Sequence, residues 1–138
     1  MTVPFQIKNV ACIGSGVIGA GWIARFIENG INVKIFDPDP NVKTNVDRTL
    51  SNADIAFSNL TSIPRIQKGD VSFESSIATA VTNAELIIES VPERLDIKQE
   101  VYSEIEISCT SSALITSSTS GIMPSKLQSK LEHPKRFY

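Results

Sequence analysis

The chain has 138 residues, 41% of them hydrophobic and 20% charged, with 13 lysines and arginines against 15 aspartates and glutamates for a formal charge of −2. That predicts one domain over residues 1–138 with a real core, and no basic excess that would draw it to nucleic acid or an anionic membrane. No stretch approaches membrane-span length, and the opening Met-Thr-Val-Pro-Phe-Gln-Ile-Lys lacks the apolar run of a secretory signal. Cys12 and Cys109 are therefore expected as reduced thiols in the cytoplasm, and neither a CxxC pair nor a histidine cluster points to a metal. His133, the single histidine, precedes Pro134 in a polar stretch and reads as a surface loop residue.

In chain order, Val10–Ile13 is an apolar run suited to a buried parallel strand. A glycine-rich turn follows, Gly14-Ser15-Gly16-Val17-Ile18-Gly19, and then a helix with Ile18, Trp22, Ile23, Phe26 and Ile27 as its expected apolar face. Asn29-Gly30 is a helix stop, and Ile31–Phe36 a second strand ending at Asp37-Pro38. Asn41 is placed to cap a helix to about Leu60, with Val42, Val46, Leu50, Ala53 and Phe57 as its stripe. Residues 61 to 70, with Pro64 and Gly69-Asp70, read as a loop, and Val71-Ser72-Phe73 as a short strand. Ser75 or Ser76 caps a brief helix over Ile77–Val81; Ala84–Val91 is a buried strand stopped by Pro92; Leu95 to Ser108 is helical. Ala113–Thr116 is another strand, Ser125–Leu131 a short helix after Pro124, and Arg136–Tyr138 the start of one more strand. Strands alternating with helices predict a Rossmann-like, doubly wound parallel α/β sheet.

The segment from Val10 to Asp37 has the parts of a dinucleotide site in order. Gly14 permits the tight turn, Gly16 lets a pyrophosphate approach the backbone, and Gly19 lets the helix pack closely. The helix start presents free N–H groups and a positive dipole end to phosphate. Asp37 stands near the expected spacing of about 20 residues and can accept the ribose hydroxyls. A carboxylate there repels a 2′-phosphate, and no arginine occurs in Pro38-Asp39-Pro40, so NAD is expected over NADP. FAD, whose binders share the turn, is the lesser alternative, and Asp39 is either the ribose partner in place of Asp37 or a helix cap before Asn41. Ligands of such sheets lie at the carboxyl ends of the strands. That directs attention to Gly14–Gly19, to Ser90-Val91-Pro92-Glu93 and to Ser117-Ser118-Thr119-Ser120-Gly121.

The runs Glu89-Ser90-Val91-Pro92-Glu93-Arg94-Leu95-Asp96-Ile97-Lys98 and Ser117-Ser118-Thr119-Ser120-Gly121-Ile122-Met123-Pro124-Ser125, with His133-Pro134-Lys135-Arg136-Phe137, resemble the NAD-binding domain of the 3-hydroxyacyl-CoA dehydrogenase family. Most acyl-CoA members have asparagine at the place of Ser118 and serine at that of Gly121. The version here is most similar to the branch acting on L-carnitine, while the L-gulonate branch shares parts of it. The resemblance implies oxidation of a 3-hydroxyl to a ketone with hydride passing to NAD. It puts Glu93 and Lys98 near the ribose and nicotinamide, and Ser120 on the reacting oxygen of a small 3-hydroxy substrate. It also implies that the histidine base, the glutamate orienting it, and a helical domain that forms a homodimer lie beyond Tyr138, so that this chain alone turns over substrate poorly or not at all. Without the resemblance, Glu93 and Lys98 read as an exposed ion pair at a helix start and Ser120 as a turn residue. The alternatives are a 3-hydroxybutyryl-CoA or other 3-hydroxyacyl-CoA dehydrogenase domain, and a non-catalytic NAD-binding module on the same fold.

Overall fold

The computed structural model describes residues 6–60 and 66–138. Strands β1 (Asn9–Ile13), β2 (Asn32–Phe36), β3 (Val71–Phe73), β4 (Leu86–Glu89) and β5 (Leu114–Ser117) alternate with helices α1 (Val17–Glu28), α2 (Val42–Leu60), α3 (Ile77–Val81), α4 (Leu95–Ser108) and α5 (Pro124–Leu127). All strands pair in parallel in the order β3-β2-β1-β4-β5, with Ile13 opposite Phe36 on one side and Glu89 on the other. The chain runs outward from β1 to β3 and then crosses back to β4. The topological switch, where the crevice of an open α/β sheet opens, therefore lies between β1 and β4.

The two-residue period of β1 divides the core. Val10 and Cys12 pack with Val33, Ile35 and Ile88 under Ile23 and Ile27 of α1 and Val46 of α2. Ala11 and Ile13 face the other way, with Ile87 and Ile115, onto α3, α4, α5 and Phe137. Each fully buried isoleucine of these layers contributes about 1.5–3 kcal/mol relative to exposure. Burial pushes the Cys12 thiol up to about 12, so it is a core residue and a poor nucleophile; neither cysteine is in a disulfide. Among the described residues no helix is long and apolar enough to cross a membrane.

Several expectations need correction. The buried face of α1 is Gly19, Ala20, Ile23, Ala24 and Ile27, whereas Ile18 and Trp22 are 59% and 44% exposed. Close approach of the helix at Gly19 selects the small-residue side, which a hydrophobicity pattern ranks second. Asp39, not Asn41, caps the turn into α2: its carboxylate accepts from Asn41 N at 2.8 Å and from the Asn45 side chain at 3.3 Å. Of the α2 stripe only Val46 is fully buried, because the helix covers a sheet edge rather than its centre. β4 and β5 are four-residue strands, Leu86–Glu89 and Leu114–Ser117, rather than Ala84–Val91 and Ala113–Thr116. The helix expected over Ser125–Leu131 is α5 followed by a 3-10 turn, Gln128–Lys130. A second 3-10 turn holds Pro134–Arg136, so only Phe137 bridges β5, at Ile115, where a sixth strand was expected from Arg136. Of the expected 61–70 loop, residues 66–70 are irregular and 61–65, with Pro64, lie outside the described residues. Other stops stand as read. Gly30 ends α1 at φ 73° with its N–H on Ile27 O at 3.1 Å, and Ser76 caps α3 through Thr79 N at 3.1 Å.

Candidate functional site

At the switch point the three glycines play separate parts. Gly14 sits at φ 90° with its N–H on Phe36 O at 2.9 Å; a Cβ there would lie 2.7 Å from Ser90 backbone atoms. A Cβ on Gly19 would lie 2.1 Å from Gly14 O, so α1 packs onto the turn itself. Gly16, the first residue before α1, has ordinary backbone angles (φ −59°) and would project a Cβ into space with nothing within 4 Å. Beside it the N–H groups of Gly16, Val17 and Ile18 have no acceptor among the described residues, and the first turn carries no acidic side chain.

Asp37, one residue past β2, reaches across to the same turn. Its Oδ2 accepts the Ser15 N–H at 2.7 Å and the Ser15 hydroxyl at 2.7 Å, while Oδ1 accepts the Asp39 N–H at 2.9 Å. A cleft of about 540 Å³ opens here, lined by Ile13, Gly14, Gly16, Phe36, Asp37, Pro38, Ile77, Ser90, Val91, Pro92, Ile97 and Val101. The parts a dinucleotide needs fit it: a bare backbone approach at Gly16, unclaimed N–H donors at a helix start, an acid at the rim with an acceptor position left over, and apolar walls. Gly14, Gly16, Asp37, Ser90, Val91 and Pro92 all line this cleft. Ser15, Val17, Ile18 and Gly19 do not line it; they neighbour Gly14 and Gly16 in the turn and the first turn of α1.

The walls formed by Phe36, Ile77, Ile97 and Val101 were not singled out from sequence, because an apolar residue in a strand or helix reads first as core. Only Phe36, the last residue of β2, carried a positional signal; Ile77, Ile97 and Val101 lie in α3 and α4. A second omission is Glu89, the last residue of β4. It is fully buried, and four donors converge on it: Lys98 Nζ at 2.6 Å and Val91 N at 2.7 Å on Oε1, and Ser117 Oγ at 2.7 Å and the Tyr102 hydroxyl on Oε2. Burial, reinforced by the bond to Glu89, pushes the Tyr102 phenol up, so it remains a donor. Lys98, 1% exposed, also donates to Val91 O at 3.1 Å and lies 3.5 Å from Glu93 Oε2. Lys98 is therefore interior, where an exposed pair with Glu93 was one of the two readings.

Glu93 is exposed and straps two loops together. Its Oε1 accepts the Thr119 hydroxyl and, at 2.9 Å, the Gly121 N–H. Those bonds, with the Lys98 charge behind them, hold its carboxyl below the usual range. Ser118 is tied to the site by its hydroxyl on Ser90 Oγ at 2.9 Å and its N–H on Glu89 O at 2.9 Å. Ser120, between the strapped residues, is exposed. His133 is exposed at the far end of α4, with Nδ1 3.5 Å from Glu106.

Residues 9–138 match the family described as 3-hydroxyacyl-CoA dehydrogenase, NAD binding domain. The chain is 47% identical over 132 residues to an L-carnitine dehydrogenase/betainyl-CoA thioesterase of a Rhizobium species, a match covering 96% of this chain and 27% of that protein. It is 44% identical over 131 residues to an L-carnitine dehydrogenase of Mesorhizobium japonicum, covering 94% of this chain and 36% of the relative. The chain thus spans between about a quarter and two-fifths of the length of the curated relatives it matches. Among solved structures, an NAD⁺-dependent dismutase, 5-formyl-3-hydroxy-2-methylpyridine 4-carboxylic acid 5-dehydrogenase, superposes with a TM-score of 0.85 at 35% identity, over 96% of this chain and 43% of the other.

Proposed function

The chain belongs to the NAD-binding domain family of the 3-hydroxyacyl-CoA dehydrogenases, and from that premise we propose that it holds NAD for the oxidation of a 3-hydroxyl to a ketone, with L-carnitine as the substrate of its parent enzyme. The observation that carries the cofactor half is the cleft at the switch point, where Gly16 leaves open space beside unclaimed helix N–H groups and Asp37 stands at the rim. Bound NAD supplies the hydride acceptor.

The protein's own residues bind and orient. The first turn of α1 receives the pyrophosphate, and Asp37 accepts from the adenosine ribose. Ser90, Val91, Pro92, Glu93 and Ser118 form the nicotinamide side, with Lys98 behind them. Ser120, exposed on the strapped loop, hydrogen-bonds the reacting oxygen. Alcohol oxidation also needs a base for the hydroxyl proton. The cleft contains no histidine, and His133 sits against Glu106 near the other end of α4. We therefore assign the base, the acid that orients it, and a dimerising helical domain to a part of the parent enzyme outside this chain, and expect the chain alone to bind NAD with little or no turnover. The unbonded cysteines accord with a reducing, cytoplasmic location. Carnitine is preferred to an acyl-CoA because the carnitine dehydrogenases match at 44–47% identity.

Titration calorimetry of the chain with NAD⁺ tests the first half, and absence of binding at millimolar cofactor would sink it. An activity screen of the full-length parent against L-carnitine, 3-hydroxybutyryl-CoA and L-gulonate tests the second; a preference for the CoA ester would reassign the substrate.

A further inference from the structure

Asp37 is held more firmly than a residue that only awaits a ribose. Of the roughly four acceptor positions on a carboxylate, three are filled from within the protein. Ser15 supplies two of them, through its N–H and its hydroxyl, both at 2.7 Å and both on Oδ2; the Asp39 N–H at 2.9 Å fills the third, on Oδ1. Ser15 is 8% exposed, and its side chain is turned onto Asp37 rather than outward to where a phosphate would lie. The middle residue of the Gly-x-Gly turn thus has a specific partner across the crevice, 22 positions later in the chain.

We propose that Ser15 is a specificity-positioning residue: its hydroxyl pins the Asp37 carboxylate at the rim with one acceptor position facing the cleft, and this pinning makes the site discriminate against a 2′-phosphate. The inference rests on the NAD reading and deepens it. A carboxylate penalises a 2′-phosphate only while it stays close to it, since Coulomb repulsion falls with distance and with solvation. An aspartate held by fewer bonds spends more of its time rotated away about its broad terminal torsion. That motion relieves the penalty on NADP and at the same time removes the acceptor for the 2′-hydroxyl of NAD. Both changes lower the preference. The two backbone N–H groups, from Ser15 on Oδ2 and from Asp39 on Oδ1, remain when the hydroxyl is removed, so its loss loosens the carboxylate rather than freeing it.

The test is titration calorimetry of the chain with NAD⁺ and NADP⁺, comparing wild type, Ser15→Ala, Ser15→Gly and Ser15→Thr. Wild type binds NAD⁺ more tightly. The two hydroxyl-free variants lower the NAD⁺/NADP⁺ affinity ratio by about tenfold, the scale of one charge-assisted hydrogen bond, and Ser15→Thr, which keeps the hydroxyl, retains the wild-type ratio. In an Asp37→Asn background Ser15→Ala leaves the ratio where Asp37→Asn put it, because the group being positioned no longer carries the charge. A merely structural role would weaken both cofactors equally and would overturn the proposal. An unchanged ratio in Ser15→Ala or, where that variant does not fold, in Ser15→Gly, with NAD⁺ still bound, overturns it while leaving the NAD reading intact. Failure of wild type to bind either cofactor overturns the NAD reading and this inference with it.

Discussion

At the level of single residues, the two first glycines of the turn separate stability from binding. Gly14 carries a positive φ and a backbone wall 2.7 Å from where a Cβ would sit, so Gly14→Ala meets strain and collision together. It should destabilise the fold by about 2–4 kcal/mol, the sum of a left-handed conformation and an overpacked contact, read as a lowered denaturant midpoint. Gly16→Ala meets neither, because its φ of −59° suits any residue and nothing beyond its chain neighbours lies within 4 Å of the added Cβ. Its stability should stay within about 0.5 kcal/mol of wild type. Its NAD affinity should nevertheless fall at least about tenfold, since the added methyl occupies the approach a pyrophosphate needs. Calorimetry and chemical denaturation of the same two samples check both halves. A Gly16→Ala protein that binds NAD normally would show that the phosphates do not sit over this residue.

At the level of elements, the carboxyl edge is knitted by one buried acid. Glu89 ends β4 and gathers the β4–α4 turn through Val91, α4 through Lys98 and Tyr102, and β5 through Ser117. Removing one member of a buried ion pair leaves the other charge stranded, so Lys98→Met or Glu89→Gln alone should destabilise by about 3–5 kcal/mol, whereas the double variant should lose clearly less than the sum. Additive losses in a double-mutant cycle would show that the two act independently. Glu93 makes an outer strap over the same edge, and its carboxyl titrates below its ordinary value of 4.5 because the Thr119 hydroxyl and the Gly121 N–H favour the charged form. A depressed folded-state value means that the stabilisation is fully present above the unfolded value and disappears as pH falls through the folded one. The midpoint difference between wild type and Glu93→Gln should therefore be constant near neutrality and shrink only below about pH 4.5; a difference that grows on acidification would contradict the strap. The order of elements and the glycine turn were legible in the sequence because each rests on local chemistry: a stop at Gly30, a cap at Ser76, an apolar run in β1. The Glu89 network was not. Its members span residues 89 to 117 and meet only after the sheet forms, and a glutamate ending an apolar strand carries no local sign that it is interior. The rotated face of α1 escaped for a related reason, since contact with the Gly14 carbonyl, not hydrophobicity, decides it.

For the molecule as a whole, the cleft joins the two halves of the sheet. β1 carries the glycine turn and β4 the Ser90–Pro92 wall, and the β1–β4 pairing is the only ladder linking the β1–β3 half to the β4–β5 half among the described residues. A ligand seated there contacts both halves, so it binds the folded sheet and not the unfolded chain. Stabilisation then follows mass action, about 2.7 kcal/mol at a free concentration one hundred times Kd. For a domain of 138 residues that converts to an increase in Tm of roughly 10 °C. The shift should grow with the logarithm of NAD concentration and should be smaller with NADP⁺. It should also be reduced in Gly16→Ala, whose midpoint without cofactor matches wild type. Differential scanning calorimetry across an NAD series measures all three. A midpoint unmoved by NAD at millimolar concentration would mean that the cleft between β1 and β4 is not where this chain holds a dinucleotide.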